Sequence, residues 1–301
     1  MGTLPPMSGI PAAGAHGGDG PAVARALGLE PGDVLDLSQT LNPFAPDVAA
    51  IVARHAGAVG VYPDPAAATA LLAETIGVDA DRLLLTNGGS EAIGLVTREL
   101  GGSVVSEPEF SLHPRGSGPA WRSDPHNPTG HLADADVQVD VWDEAFYPLA
   151  TGRWHGHRRG VTVGSLTKVF ACPGLRLGYV IADDIERFAR YQPAWSVNSI
   201  GLAALPELID QADLAGWCTS IAAARRAMAD ALTFRGFAVE AADAPWVLVR
   251  SAGLRDRLAA RGVVVRDCAS FGMTDWHRIA VPDDAGLERL FAAFDDEGAT
   301  P

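Results

Sequence analysis

From Asp33 onward, short aliphatic runs alternate with Ala-rich stretches whose apolar positions recur every three or four residues. The runs Val34–Leu37, Arg82–Thr86, Ser103–Ser106, Val137–Val141, Val161–Gly164 and Gly178–Ile181 read as buried strands. Between them, Ala66–Ile76, Ser90–Leu100, Ile185–Tyr191 and Val197–Ile209 read as helices. That alternation predicts an α/β fold with a mainly parallel sheet, in which crossover helices join successive strands.

The pattern changes near Asp210. A long helix is predicted over Asp213–Phe234, with Leu214, Trp217, Ile221, Ala224, Met228 and Leu232 on one stripe. Strands follow at Ala238–Glu240, Trp246–Val249, Val263–Val265 and Arg278–Val281, with helices at Leu254–Arg261 and Ala285–Phe294. The expected organisation is an N-terminal arm and lid over residues 1–42, packing with the small domain, a large domain over 43–210, and a smaller C-terminal α+β domain over 211–301. The first fifteen residues, Gly-, Pro- and Ala-rich, read as a mobile arm.

Hydrophobic residues make up 48% of the 301-residue chain, enough for a substantial core. The formal charge of −14 argues against a nucleic-acid or anionic-membrane surface, while leaving room for a few cations placed around a small anion. No apolar stretch is long enough to span a bilayer, and no targeting segment is visible, so the chain reads as cytoplasmic. Three scattered cysteines without a Cys-x-x-Cys pair suit a reducing compartment, and the eight histidines show no zinc-ligand spacing, so no metal is expected.

Chemistry gathers at the predicted strand ends. Lys168, in Ser165-Leu-Thr-Lys168, lies just past the Val161–Gly164 strand, and Arg176 follows in Pro173-Gly-Leu-Arg176. A lone lysine there would ordinarily be solvated surface. Two cations and a serine at strand ends instead suit a phosphate beside an electrophilic carbonyl. Asp143 closes an apolar run and is either a helix cap or a buried carboxylate at the carboxyl edge of the sheet. Asn127 sits in the turn Asn127-Pro-Thr-Gly130 and could offer an amide. Thr86-Asn-Gly-Gly89-Ser90-Glu91 leads from strand to helix, where N–H groups and the helix dipole favour a phosphate. The basic run His155, His157, Arg158 and Arg159 reads as a solvated loop, and Cys172 as a packing residue.

The order Gly-Gly-Ser, Asn-Pro-Thr-Gly, Asp, Ser-x-x-Lys, Gly-Leu-Arg resembles the fold-type-I pyridoxal 5′-phosphate enzymes of aminotransferase class I/II. The resemblance runs from His16 to the end of the chain. It implies that Lys168 anchors the cofactor covalently, that Asp143 pairs with the ring nitrogen, and that Asn127 bonds the ring oxygen. It assigns the cofactor phosphate to Gly89, Ser90, Ser165 and Arg176. Tyr62, in Val61-Tyr-Pro-Asp-Pro65, matches a tyrosine that reaches the phosphate across a homodimer interface, so shared active sites are implied. Arg278 matches the arginine that grips a substrate carboxylate, for which a guanidinium fork is well shaped.

Within the family, histidinol-phosphate aminotransferase and threonine-phosphate decarboxylase of cobalamin biosynthesis are neighbouring groups. His16-Gly17-Gly18-Asp19 with the later Asn42-Pro43, the Asp143-Glu-Ala-Phe146 wording and Trp195-Ser-Val-Asn198 look more like the decarboxylase. The expected activity is therefore decarboxylation of a phosphorylated amino acid, with His16, Gly17, Gly18, Asn42 and Arg278 on the substrate. Transamination is the alternative, and a catalytically weakened cofactor-binding protein a further one. The last follows from a shortened segment: Pro108 and Asn127 are 19 positions apart, where relatives fit a further helix and strand. The aromatic that stacks on the cofactor ring comes from this segment as Phe110 or His113, and alignment favours His113.

Overall fold

A computed structural model describes residues 9–296. In chain order the strands are β1 (Leu35–Asp36), β2 (Leu83–Asn87), β3 (Ser103–Val104), β4 (Ala120–Ser123), β5 (Val141–Asp143), β6 (Val161–Ser165), β7 (Leu177–Ile181), β8 (Ala238–Glu240), β9 (Trp246–Arg250), β10 (Val263–Val264), β11 (Arg266–Asp267) and β12 (Trp276–Ala280). The α-helices are α1 (Gly20–Leu27), α2 (Val48–His55), α3 (Ala66–Ile76), α4 (Gly88–Leu100), α5 (Tyr147–Thr151), α6 (Leu166–Val169), α7 (Glu186–Ala189), α8 (Ser199–Asp210), α9 (Leu214–Phe234), α10 (Leu254–Ala259) and α11 (Asp284–Asp295).

The chain divides into two units. The larger comprises Phe44–Asn127 and His131–Thr219. It carries a six-stranded sheet in the order β2-β7-β6-β5-β4-β3. Strands β3 to β6 are mutually parallel, and β7 is antiparallel to both β6 and β2. Residues buried from both faces explain why these strands read as aliphatic runs rather than alternating ones: all of β6 and β7 is buried. Helix α4 packs its Ala92, Ile93 and Val96 with Trp121, Val141, Val163 and Val180 in one core cluster. Among the described residues, the β4–β5 crossover, residues 124–140, contains no helix, and the β5–β6 crossover contains only the five residues of α5.

The smaller unit takes the chain up to Pro43, Pro128–Gly130 and Ser220 onward. An antiparallel sheet in the order β11-β12-β9-β8 and the parallel pair β1–β10 pack with α10, α11 and the C-terminal part of α9. Its core includes Leu37, Met228, Leu232, Val247, Val249, Leu258, Ile279 and Phe294. Of the expected mobile arm, residues 1–8 lie outside the described residues. The remainder is tied down: Arg266 donates to the carbonyls of Gly14 and Ala15 at 2.9 and 2.6 Å, and Arg255 donates to Pro11 O at 2.8 Å.

One expected strand moves and one strand was not expected. The strand expected at Val137–Val141 is β5, Val141–Asp143, because residues 137–140 belong to the loop that replaces a crossover helix. Strand β4, Ala-Trp-Arg-Ser, was not anticipated, since only two of its four residues are apolar.

Candidate active site

The carboxyl ends of β5 and β6 and the β2–α4 turn place most of the expected cofactor residues in the larger unit. Helix α4 starts at Gly88, where φ is 76°, and the Asn87 side chain does not cap it. The first-turn N–H groups, including those of Gly89 and Ser90, are ones that no helical carbonyl accepts. Arg176 Nη2 donates to Ser90 Oγ at 2.9 Å, and the guanidinium lies so close over Gly88 that a Cβ there would stand 2.5 Å from Nη2. Arg176 itself has φ 53°, the left-handed region that non-glycine residues rarely adopt. Gly89 faces Ser165: a Cβ on Gly89 would meet Ser165 Cβ at 3.3 Å. Strand β7 runs directly beneath, and a Cβ on Gly178 would fall 2.5 Å from the Gly88 carbonyl carbon. Gly89, Ser90, Ser165 and Arg176 thus gather into one cradle, with a guanidinium beside free helix-start N–H groups, that suits an anionic phosphate.

Lys168 follows Ser165 on the short helix α6, and its Nζ stands 5.9 Å from the centre of the Phe146 ring. Phe146 lies three residues past Asp143, and sequence marked it only through the Asp143-Glu-Ala-Phe146 wording, with no site role assigned to it. Asp143 is buried, with Oδ1 accepting from Ala145 N at 2.9 Å and Oδ2 bonded to His113 Nε2 at 3.0 Å. Asn127 is also buried.

His113, expected to stack on the cofactor ring, has its own ring bonded to Asp143. Its side chain is completely buried, bonded to Asp143 and packed edge-on to Phe110 and obliquely against Trp121. Phe110, the other aromatic expected from this segment, is partly exposed. The segment is pinned by Arg115, which donates to the carbonyls of Glu109, Phe110 and His113 and pairs with Glu107.

Tyr62 is 77% exposed and stacks on Trp195, itself 63% exposed, with ring centres 4.7 Å apart. Val59 and Val61 are exposed beside it in sequence. The rest of the Trp195-Ser-Val-Asn198 segment has structural work: Ser196 Oγ donates to Glu91, and Asn198 caps α8 while donating to Leu175 O.

The basic run of residues 155–159 is not simply solvated. Arg158 is only 13% exposed at its side chain and pairs with two buried carboxylates, Asp124 and Glu144, while stacking on Trp142 at 3.8 Å. Burial pushes Glu144 up to about 7, against the pull of Arg158. Cys172 is buried, and burial raises its thiol to about 12, as befits packing.

The expected substrate residues lie in the smaller unit. Arg278 is buried on β12, its guanidinium 4.8 Å from the Trp246 ring centre, and burial lowers it to about 10. Asn42 is buried, and His16 is exposed. Gly17 and Gly18, expected as N–H donors to a substrate, both lie against Ser38. Gly18 N already donates to Ser38 Oγ at 2.8 Å, and Gly17 is required because a Cβ there would stand 2.2 Å from Ser38 O.

This cradle, the buried Asp143 and the sheet that carries them define a fold-type-I α/β enzyme. The sequence profile of the family described as aminotransferase class I and II matches residues 123–294, and the chain belongs to that family. Histidinol-phosphate aminotransferase of Halorubrum lacusprofundi is 27% identical, with 91% of this chain and 92% of that protein covered. Among solved structures, histidinol-phosphate aminotransferase from Sinorhizobium meliloti in complex with pyridoxal-5′-phosphate superposes with a TM-score of 0.79 at 17% identity, covering 92% of this chain and 94% of that one. L-threonine-O-3-phosphate decarboxylase from Porphyromonas gingivalis superposes with a TM-score of 0.75 at 20% identity, covering 87% and 99%. The protein is a pyridoxal-phosphate-dependent enzyme, an aminotransferase or a decarboxylase. No helix among the described residues is long and apolar enough to cross a membrane.

Proposed function

We propose that the protein is an aminotransferase acting on a phosphorylated amine or amino acid, of the histidinol-phosphate kind. The supporting observation is the similarity to relatives named histidinol-phosphate aminotransferase along nine-tenths of both chains. That favours transamination over the decarboxylation expected from local wording, part of which serves the fold: Ser196 and Asn198 are occupied by Glu91, Leu175 and the α8 cap.

Bound pyridoxal phosphate supplies an electron sink for charge developing at the substrate α-carbon. The chain's own residues do the rest. Lys168 Nζ anchors the cofactor and moves the proton at the substrate α-carbon. Asp143 holds a proton on the ring nitrogen, Asn127 donates to the ring oxygen, and Phe110 supplies the stacking face. Gly89, Ser90, Ser165 and Arg176 hold the phosphate, with Tyr62 of a second copy completing it. Arg278 takes an anionic group of the substrate; a guanidinium disfavoured by burial gains from an anion placed against it. His16 and Asn42 are proposed to contact the substrate. The exposed Tyr62–Trp195 pair with Val59 and Val61 supports a homodimer, since an apolar surface of that kind is usually covered.

Decarboxylation remains the second reading, carried by the His16-Gly-Gly-Asp19 and Asp143-Glu-Ala-Phe146 wording. A panel containing histidinol phosphate with a 2-oxo acid acceptor, and threonine phosphate alone, separates the two. Amino-group transfer without carbon dioxide release is expected. Carbon dioxide release from threonine phosphate would replace the proposal with the second reading. Bound cofactor with neither reaction would leave a weakened cofactor-binding protein.

A further inference from the structure

The basic run of residues 153–159 has no part in the proposed function, and it lines a cavity within the larger unit. The cavity, of about 550 Å³, is bounded by the helix-free 132–138 loop, by residues 151–159 and by Trp142 and Tyr147. Small-molecule sites span ~300–1,000 Å³. Three guanidiniums stand in its wall, and one of them is already spent: Arg158 bonds Asp124 and Glu144 and lies over Trp142. Asp124 also accepts from Ala133 N at 2.9 Å, which ties the loop down. Arg153 and Arg159 are exposed and, among the described residues, carry no ion pair. The other carboxylate of the wall, Asp134, is exposed on the loop. Positive charge also bears on His155: burial lowers it, and Arg158 and Arg153 lower it further. Its Nδ1 is buried without a hydrogen-bond partner, 3.6 Å from Glu144 Oε1.

We propose that this cavity is a second ligand site, for a small organic oxyanion of the phosphate-monoester or polycarboxylate kind, with Arg153 and Arg159 as its anchors. A guanidinium fork matches carboxylate or phosphate oxygens with paired N–H bonds. Neither arginine has to give up an ion pair to make them. A chain with a net charge of −14 repels anions in general. Three arginines and two histidines within the seven residues 153–159 make this wall the exception. A bare inorganic ion would fill a small part of the space, so the remainder of an organic molecule is expected against Trp142, Tyr147 and the 132–138 loop. Gly89, Ser90, Ser165, Lys168 and Arg176 are absent from the wall, which separates this cavity from the cofactor cradle.

The test uses cofactor-loaded, full-length protein labelled with 15N-histidine, with pyrophosphate and citrate as probes. At least one probe should bind by calorimetry with a dissociation constant below ~1 mM. The same probe should shift the ring signals of His155 and His157, identified by their loss from His155→Gln and His157→Gln. The double variant Arg153→Gln, Arg159→Gln should weaken that probe by about tenfold or more, as charge-assisted bonds are lost, with the absorbance of the bound cofactor unchanged. Arg278→Gln should bind the probe as the wild type does. Binding of neither probe below that limit overturns the proposal. So does binding that leaves both histidine signals in place, and so does equal affinity in the double variant. Affinity lost in Arg278→Gln instead would put the anion at Arg278 and overturn it as well.

Discussion

Removing the Arg158 guanidinium strands two carboxylates in the interior. Asp124 and Glu144 sit at the ends of β4 and β5, with side chains 3% and 2% exposed, and Arg158 bonds both while covering Trp142. Leaving a buried charge without its partner costs about 3–5 kcal/mol. The loss depends on pH. Glu144 has a folded value of about 7 against an ordinary 4.5, so the folded protein binds more protons than the unfolded chain between those limits. Stability from this group is therefore fully present below the ordinary value and falls as pH rises through about 7, by about 3 kcal/mol. Arg158 pulls Glu144 down, so its removal raises that carboxyl further. At about pH 5.5 Glu144 is protonated with or without Arg158, leaving Asp124 as the group that loses its partner. At about pH 8.5 both lose it. For Arg158→Met, thermal melting of the cofactor-loaded protein should fall by about 10 °C at the higher pH, at roughly 2–4 °C per kcal/mol, and by clearly less at the lower one. Glu144→Gln should flatten the pH dependence of the wild type. Equal losses at the two pH values, or a wild-type melting temperature in Arg158→Met, would refute the reasoning.

Gly178→Ala should abolish cofactor retention, because its Cβ would collide with backbone at Gly88 and Gly89 rather than with a side chain that can swing away; normal cofactor content by absorbance would contradict this. Arg176→Ala should weaken cofactor affinity by about 1.5–3 kcal/mol, tenfold or more, as measured by equilibrium dialysis, since a charge-assisted phosphate contact is lost. Tyr62→Phe mixed with Lys168→Ala should regain activity as hybrid dimers form, and an active monomer by sedimentation would exclude shared sites. Phe110→Ala should alter the spectrum of bound cofactor while leaving the Asp143–His113 bond in place, and an unchanged spectrum would remove Phe110 from the stacking role.

The core of the larger sheet was legible because strands buried on both faces leave mostly apolar runs, as in β6 and β7. Strand β4 was not, because Arg122 and Ser123 break the run, and Ser123 is polar for a reason only the fold shows: it donates to Glu109. That Gly89, Ser90, Ser165 and Arg176 lie together could be expected, because a glycine-led helix start and residues just past strand ends gather at one edge of such a sheet. Partners set by tertiary packing could not. The bond of the His113 ring to Asp143 was not foreseen, and Arg158 looked like surface charge until its two carboxylates were placed. Gly17 and Gly18 were read as ligand-facing; what sequence did not show is that Ser38 O leaves no room for a Cβ at Gly17 and that Gly18 has φ 102°.

The assignment of the cofactor to Lys168 underlies every role proposed for the site. Borohydride reduction of the cofactor-loaded protein followed by peptide mapping tests it directly. The cofactor mass is expected on the peptide containing Lys168, and in Lys168→Ala no labelled peptide and no turnover, with cofactor bound only non-covalently. A label on another peptide, or turnover by Lys168→Ala, would contradict it.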